Sequence, residues 1–599
     1  MSLQRLSFIV LAIALITSTV TAQQSLERDN LRMAQTYERN GDFRNAARLY
    51  QELYAQSPKS ELYFQGVVRS LSGLQQFASL VPMVDERMRI APSVTTAILA
   101  GTLNAQVGKL EKAQEWWAKA IELSDDDETT NLLIGAEQSQ LLLHKQALAS
   151  YLAARKIDGE STSYGDEISQ LYAINGDLEA ATKEALAVYA TDGDLVRLQR
   201  RLSVLLSYEK GPALVGSQLD GMASSSPDVL RLQQWFYRQT KSWQRALTVT
   251  AKLDAMSNPR GQELLLFADA ARMEEQFDIS IAAYGMIMKE APDKRYHMSA
   301  AYGSARALEQ KLRGSKSISP VEARAIVARY DEIIDQYAQH PIAAEALYQS
   351  AILEDDVIGN MDAARERLMR LQNQWRGTTV SSEGALRLAD IYLVMGKDRD
   401  AETLLHSIVN GPSVIVTDRR EMASLRLADL AFWRGELDSA QALYKPLAAN
   451  IGSDASNDAL DHLLLIDLAQ EDSASVVSIA IAEGLIIRRR YREGAIRFAD
   501  AAKSATDSEL RDRARMNAAK AYFDLQEDET AEPLLREIIA NIPDTIYGDR
   551  ALSLLADHQV RIGDKQGALQ TLNSLLVHYP RSILVPTVRD RIRVLRGDA

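Results

Sequence analysis

A pattern of small and aromatic residues recurs along this chain at nearly constant spacing, and it constrains the fold more than any other feature of the sequence. In the clearest copy, Leu31 to Pro58, Ala34 and Tyr37 lie three residues apart, and Ala46 and Tyr50 lie four apart. Residues at these spacings share one face of a helix. A Gly-Asp pair between the two sets breaks the chain. The segment therefore predicts two packed helices, with alanines at the close contact and tyrosines beside it.

The alanine of the second helix marks further copies of this hairpin. The spacing is about 34 residues in the first 250 residues and about 36 to 39 residues after residue 320. The markers are Ala46, Ala113, Ala147, Ala181 and Ala246, with degenerate copies around Leu80 and Ala213, and then Ala364, Ala401, Ala440, Ala495, Ala531 and Ala568. A chain of 599 residues is too long for one ordinary core, whereas a core that grows by repetition suits this length.

The repeating unit resembles the tetratricopeptide repeat. This resemblance implies an all-α fold, a right-handed superhelical α-solenoid of TPR-like helical hairpins. The segments from Tyr330 to Ala351 and from Tyr547 to Asp598 also resemble hairpins of outer-membrane assembly lipoproteins and cell-division coordinators of the Gram-negative envelope. The segment from Ala449 to Ser475 matches the pattern poorly.

The predicted organisation has four parts. Residues 1–22 form a signal peptide, 23–312 an N-terminal array, 313–320 a loop or hinge, and 321–599 a C-terminal array with longer repeats. The octet 313–320, RGSKSISP, is the most polar and turn-prone stretch in the middle of the chain.

The N-terminus predicts export. Arg5 precedes an apolar run from Leu6 to Ile16, and small and polar residues then lead to a cleavage site near Ala22. No second run of about 20 apolar residues follows, so no transmembrane segment is predicted. The chain has no cysteine, which suits an oxidising compartment. We expect a periplasmic protein, with secretion as the alternative.

The sequence predicts neither an enzyme nor a cofactor or metal site. The seven histidines are isolated from one another, so no pair is spaced to chelate a metal, and we expect each at the surface or at a helix end. A net charge of −13 argues against nucleic-acid binding. Arg488, Arg489, Arg490 and Arg492 form the one basic run, which is either a patch for an acidic partner or a solvated helix face.

The first helix of each hairpin is expected to line an inner wall that binds other proteins, either as an extended peptide or as a single helix. In the first half of the chain this groove would present Gln35, Arg39, Gln106, Gln140 and Gln170. The function predicted is a noncatalytic periplasmic scaffold for envelope proteins. The alternative is an accessory subunit that positions a peptidoglycan- or glycan-processing enzyme.

Overall fold

A computed structural model describes residues 26–222, 226–291, 294–315, 318–411, 417–450 and 452–597. The predicted signal peptide lies outside these residues. The part of the chain that is described forms 32 α-helices and no strand, so the fold is an all-α helical-repeat solenoid. None of these helices is both long and apolar enough to cross a membrane. The contacts divide the chain into two units, one ending at Ser257 and one beginning at Asn258.

The first unit consists of seven helical hairpins. Helix α1 spans residues 26–39. It is followed by α2 (Phe43–Gln56), α3 (Glu61–Gly73), α4 (Phe77–Ile90), α5 (Val94–Gln106), α6 (Leu110–Leu123), α7 (Glu128–Gln140), α8 (His144–Asp158), α9 (Gly165–Ile174), α10 (Leu178–Asp192), α11 (Leu195–Leu206), α12 (Gly211–Asp220), α13 (Pro227–Gln239) and α14 (Trp243–Met256).

The second unit continues the same alternation of first and second helices. Its helices before the poorly matching segment are α15 (Gln262–Met273), α16 (Phe277–Glu290), α17 (Arg295–Arg313), α18 (Pro320–Gln336), α19 (Pro341–Leu353), α20 (Met361–Gln374), α21 (Thr379–Val394), α22 (Asp398–Val409), α23 (Thr417–Trp433) and α24 (Leu437–Ala448). A π-helical turn, Glu354–Ile358, extends α19. The helices after it are α25 (Asp454–Asp467), α26 (Ala469–Ile487), α27 (Tyr491–Ser504), α28 (Ser508–Asp524), α29 (Asp528–Ile539), α30 (Gly548–Arg561), α31 (Lys565–His578) and α32 (Val585–Arg596).

Twelve hairpins turn in the same way. In each, one residue has positive φ, and the N–H of the next residue donates to the carbonyl five positions earlier, as Asp42 does to Tyr37 at 2.9 Å. This bonding satisfies the end of the first helix. We call the positive-φ residue the turn residue. The set is Gly41, Gln75, Gly108, Leu142, Gly176, Lys241, Glu275, Gly396, Gly435, Arg489, Gln526 and Gly563.

The alanine markers lie where the pattern predicts, in the contact between helices. All except Ala213 are fully buried, and so is Leu80. Ala213 is exposed, and the buried residue is Val215, which lies 34 positions after Ala181. The predicted marker was wrong by two residues because the loop between α11 and α12 has no turn residue.

The hairpin tyrosines fill the space beside these contacts. Packing holds the ring of each, and a hydrogen bond holds its hydroxyl. Tyr50, Tyr284 and Tyr444 are fully buried, and their hydroxyls donate to carboxylates of the preceding first helix, for example Tyr444 to Asp429 at 2.8 Å. A buried hydroxyl without such a partner would cost about 1–3 kcal/mol. The hydrogen bond therefore fixes each ring against its hairpin.

Ion pairs connect each repeat to the next. Arg69 pairs with Glu38 at 2.5 Å across 31 residues, and Arg426 pairs with Asp390 at 3.0 Å across 36 residues. Because these separations are close to one repeat, such pairs join neighbouring hairpins and favour the observed stacking register over a shifted one.

The poorly matching segment contains an extra helix. Helix α25 packs on α23 and α24, but α26 also packs on α23, so α25 lies outside the hairpin alternation. A non-helical residue, Asp472, then bends the chain into the main part of α26. The extra helix explains why the repeat pattern fails between residues 449 and 475.

The predicted hinge lies inside the second unit. Residues 314–319 connect α17 to α18, and Lys316 and Ser317 fall outside the described residues. The division at 313–320 stays a prediction.

Candidate binding site on the first helices

The predicted groove residues occupy equivalent places in their hairpins. Gln35 and Gln170 lie six residues before a turn residue, and Arg39, Gln106 and Gln140 lie two residues before one. These two positions are four residues apart and share one helix face. We call the residues two, six and nine positions before a turn residue the wall positions.

In the first unit these side chains face solvent. All five are exposed or half-buried, and the hydrogen bond between them joins Arg39 Nε to the carbonyl of Gln35 at 3.3 Å. Apart from the Gln35–Arg39 bond, no hydrogen bond among the described residues joins one of these five side chains to another. Their role as a partner groove stays a prediction.

In the second unit the wall positions of three first helices line a cavity of about 350 Å³. Helix α23 contributes all three of its wall residues, and so does α28. Helix α26 contributes two. These wall residues are Arg426, Asp429 and Trp433 of α23, Glu483 and Ile487 of α26, and Asn517, Lys520 and Asp524 of α28. Four lining residues lie outside the wall positions, namely His462 of α25, Ile486 of α26, Phe498 of α27 and Ala521 of α28.

A buried carboxylate lies at the floor of this cavity. Asp429 is 5% exposed and accepts hydrogen bonds from Tyr444 at 2.8 Å and from Arg426 Nη1 at 3.2 Å. Burial raises the pKa of Asp429, although Arg426, Tyr444 and the nearby His462 favour the ionised form. Arg426 also donates from Nε to Asp390 at 3.0 Å. Both oxygens of the carboxylate are therefore occupied within the protein.

His462 closes the cavity from the extra helix. Burial alone would lower its pKa, but the hydrogen bond to Glu483 and the charges of Glu483 and Asp429 raise it to about 9. The imidazolium donates from Nδ1 to the Asp458 carbonyl at 2.9 Å and from Nε2 to Glu483 at 3.3 Å, and it stacks on Tyr444 with ring centroids 5.0 Å apart.

One of our expectations for histidine was wrong: His462 lies in the middle of α25 with only 17% of its side chain exposed. His558 lies at a helix end as expected, in the last turn of α30, where it is buried and stacks on Phe523. Carboxylates from neighbouring helices neutralise the His462 charge, and that arrangement is not visible from the spacing of histidines in the sequence.

The rim of the cavity differs from its floor. Asn517, Lys520 and Asp524 lie on one face of α28 and make no side-chain hydrogen bond or ion pair with any described residue. The apolar side chains Trp433 and Ile487 line the same cavity. The polar groups at the floor are hydrogen-bonded within the protein, whereas the side chains at the rim have no protein partner. This arrangement is suited to binding, since the rim side chains can donate to a ligand or accept from it.

The basic run follows directly after α26 and forms ion pairs with acidic residues of the chain. Arg488 donates to Asp398 of α22 at 2.9 Å, Arg489 lies 3.9 Å from Asp355, and Arg490 and Arg492 pair with Glu493 and Glu527. Each arginine thus has an acidic partner within the chain. Arg489, Arg490 and Arg492 are more than half exposed, so this part of the run is a solvated face whose charges are paired within the chain.

The repeat register, counted back from a turn residue, could have predicted most of the residues that line the cavity. Counting back from Gly435, a glycine visible in the sequence, gives Asp429 and Trp433. The turn residues Arg489 and Gln526 carry no such signal, and His462 comes from a helix outside the repeat.

Comparison with known proteins is consistent with this architecture. Residues 30–60 match a family model described as tetratricopeptide repeat. No curated protein matches the sequence significantly. Similar solved structures include a chain of Naa15/Naa10 bound to HypK-THB (12% identity, 95% of this chain and 96% of that chain, TM-score 0.27). They also include a chain of the APC/C hetero-tetramer Cut9–Hcn1 (12% identity, 94% and 96%, TM-score 0.21).

Both TM-scores are too low to bear on function or on the arrangement of the units. The family match covers one hairpin, and the described residues repeat the turn and the buried alanine of that hairpin along both units. Tetratricopeptide repeats serve as protein-interaction modules. The chain thus contains a tetratricopeptide repeat at residues 30–60, and the hairpins that follow it repeat the same features.

Proposed function

We propose that this protein is a noncatalytic scaffold of the periplasm, which binds envelope proteins along the first helices of its hairpins. One observation carries the proposal. In the second unit, the wall positions form a cavity whose rim residues Asn517, Lys520 and Asp524 have no partner within the described chain. A segment of a partner protein would supply the missing hydrogen bonds.

The chemistry of the cavity favours an extended peptide. Asn517 both donates and accepts, Lys520 donates and Asp524 accepts, so the three together match the alternating N–H and C=O groups of a peptide backbone. Trp433 and Ile487 offer an apolar surface for one side chain. A volume of about 350 Å³ is at the lower end of small-molecule pockets, which suits a side-chain anchor with adjoining main chain.

Two features support a binding role without catalysis. The buried ionisable groups Asp429, His462 and Glu483 bond to one another or to neighbouring side chains and backbone. A general acid or base needs a proton or a lone pair directed at a substrate, and these groups direct theirs into the protein. The net charge of −13 also disfavours a phosphate backbone as the ligand.

The periplasmic location is proposed from the apolar run Leu6 to Ile16 and the small residues before Ala22. Sequencing the N-terminus of the protein purified from its own cells tests this directly. We expect Gln23 as the first residue and recovery in the periplasmic fraction. An intact Met1, or recovery in the cytoplasm, would refute the location.

The binding role is tested by photo-crosslinking in living cells. A photoreactive residue in place of Lys520 should give a crosslinked product of discrete mass, whereas the same residue in place of Lys503, which is 78% exposed on a second helix, should not. Equal crosslinking from both positions would contradict the proposal. Mass spectrometry of the product then distinguishes an assembly or division protein from a glycan-processing enzyme.

A matched pair of substitutions checks the cavity. Ile487 lines the cavity and is 41% exposed, whereas Ile496 is 48% exposed on α27 and does not line it. Ile487→Asp places a charge against the apolar wall and should weaken the crosslink at least about tenfold, or roughly 1.4 kcal/mol. Ile496→Asp should leave it unchanged.

A further inference from the structure

The extra helix α25 exposes an apolar stripe on the side away from the cavity. Leu460 and Leu464 lie four residues apart on one face, 45% and 65% exposed, and Ile546 lies beside Leu464, 65% exposed. His462, two residues from each leucine, is on the opposite side and closes the cavity described above. The two faces of α25 are therefore separate surfaces.

The stripe borders a second, smaller cavity. The space has a volume of about 150 Å³ and is lined by Leu464 of α25, by Leu468 directly after this helix, by Tyr547 and by Arg513 of α28. One aliphatic side chain fits such a space. The exposed leucines thus lead into a recess in which an anchor residue can be buried.

The stripe lies in an acidic stretch of the chain, whereas the recess beside it also carries Arg513 and Arg550. Between Asp454 and Asp472 the chain carries six acidic residues and no Lys or Arg. Asp461 pairs with Arg513 at 2.6 Å. The side chains of Asp454, Asp467, Glu471 and, at the rim of the recess, Glu509 make no hydrogen bond or ion pair with described residues.

Position on the helix places these charges beside the leucines. At 100° per residue, Asp467 is 20° from Leu460 on one side, and Asp461 is 60° from Leu464 on the other. The stripe is thus flanked by Asp467, which has no partner among the described residues, and by Asp461, which is paired with Arg513. Apolar side chains beside a free carboxylate are complementary to a helix that carries apolar residues between Lys or Arg. The same negative charge is repelled by an anionic membrane surface.

We propose that this face of α25 docks a basic amphipathic helix of a partner protein, with an aliphatic anchor in the recess and cations against Asp454 and Asp467. This surface is distinct from the peptide cavity of the proposed function. Helix α25 is an insertion into the repeat pattern, so the docking surface is a feature of this chain rather than of the hairpin.

The test uses a labelled synthetic helix of leucine and lysine, about 18 residues long so that it is helical when bound. Fluorescence anisotropy with the full chain should give saturable binding that weakens as salt rises. A leucine and glutamate helix of the same length should not bind. Absence of binding by the lysine helix, or equal binding by both, overturns the proposal.

Substitutions in the leucine stripe test whether the lysine helix binds to this face of α25. Leu460→Ser with Leu464→Ser should weaken binding about tenfold, because an apolar anchor contact worth roughly 1.4 kcal/mol is lost. Both side chains are exposed, so the variant should fold, as circular dichroism checks. Leu142→Ser, at a leucine 74% exposed in the first unit, is the control and should have no effect. Unchanged binding in the double variant refutes the assignment.

Charge variants and self-association complete the test. Asp454→Asn with Asp467→Asn should reduce the salt dependence of binding. Ile487→Asp, which disables the cavity, should leave binding of the lysine helix intact, so the two proposals fail separately. If light scattering shows self-association that Leu464→Ser abolishes, a second copy occupies this face and the proposal of a basic partner is wrong.

Discussion

The close approach between helices gives the sharpest test of the fold, at Gly303 in α17. An added Cβ there would lie 2.4 Å from Cζ of Tyr284 and 2.6 Å from its Cε1 and Oη, whereas ordinary contacts lie at 3.4 to 4 Å. The ring has no room to move, because Tyr284 is fully buried and its hydroxyl donates to Asp269 at 2.5 Å. Gly303→Ala should therefore overpack this contact.

The expected magnitude is the difference of two effects. Overpacking costs about 1 to 3 kcal/mol, and contact with three ring atoms places this site at the upper end. Alanine regains about 1 kcal/mol of helix propensity over glycine. We therefore expect Gly303→Ala to destabilise the second unit by about 1 to 2 kcal/mol.

Gly285 provides the matched control. It lies inside the neighbouring helix α16, and an added Cβ would meet no atom within 4 Å. Gly285→Ala should therefore stabilise the same unit by up to about 1 kcal/mol. Urea unfolding followed by circular dichroism compares the two variants, and hydrogen exchange of the α16 and α17 amides shows whether the change is local.

The sign of the change in unfolding free energy caused by Gly303→Ala decides the outcome. If Gly303→Ala is neutral or stabilising, α17 does not approach Tyr284 as closely as described. A Tyr284→Leu background adds a check, because a smaller side chain frees the space and Gly303→Ala should then become much less costly.

Three further results are expected. The folded-state pKa of His462, about 9, lies above the ordinary value, so its pairing with Glu483 stabilises the fold fully below about pH 6.5. That contribution, at most about 3 kcal/mol, is lost as pH rises toward 9, and His462→Gln should flatten this pH dependence in melting curves. Leu142→Gly should stabilise the first unit by about 1 kcal/mol in urea titrations, because Leu142 holds a φ of 59° with its side chain exposed; a loss would contradict the turn geometry. Ala147→Leu should cost about 1 to 3 kcal/mol, whereas Gln140→Ala should change stability by less than about 0.5 kcal/mol, and equal effects in thermal melts would show that the register is wrong.

The regular part of the fold could be predicted because its contacts are local and repeated. Alanine is the residue that two helices accept where they approach most closely, so the markers from Ala46 to Ala568 follow the hairpins directly. The turns were less visible. Six of the twelve turn residues are not glycine, among them Leu142 and Arg489, because a single left-handed residue is tolerated where the surrounding helices fix it.

The cavity could not be predicted because it depends on a departure from the repeat. Helix α25 has no counterpart in the other hairpins, and no spacing rule connects His462 to Glu483 across 21 residues. The wall positions themselves follow from the register. The groove residues predicted from the sequence, however, all lie in the first half of the chain, away from this cavity.

The buried carboxylate of Asp429 shows why the extra helix matters to the cavity. Six residues before its turn residue, α21 carries Asp390, which pairs with Arg426 at the position nine residues before the next turn residue. Asp429 occupies the former position in α23, but the latter position in α26 is Ala480, whose short side chain cannot reach it. Positive charge reaches Asp429 instead from Arg426 on its own helix and from His462 on α25. The extra helix therefore supplies a cation that the next first helix does not supply. The same helix carries the leucine stripe on its outer face, so both binding surfaces proposed for the second unit depend on α25.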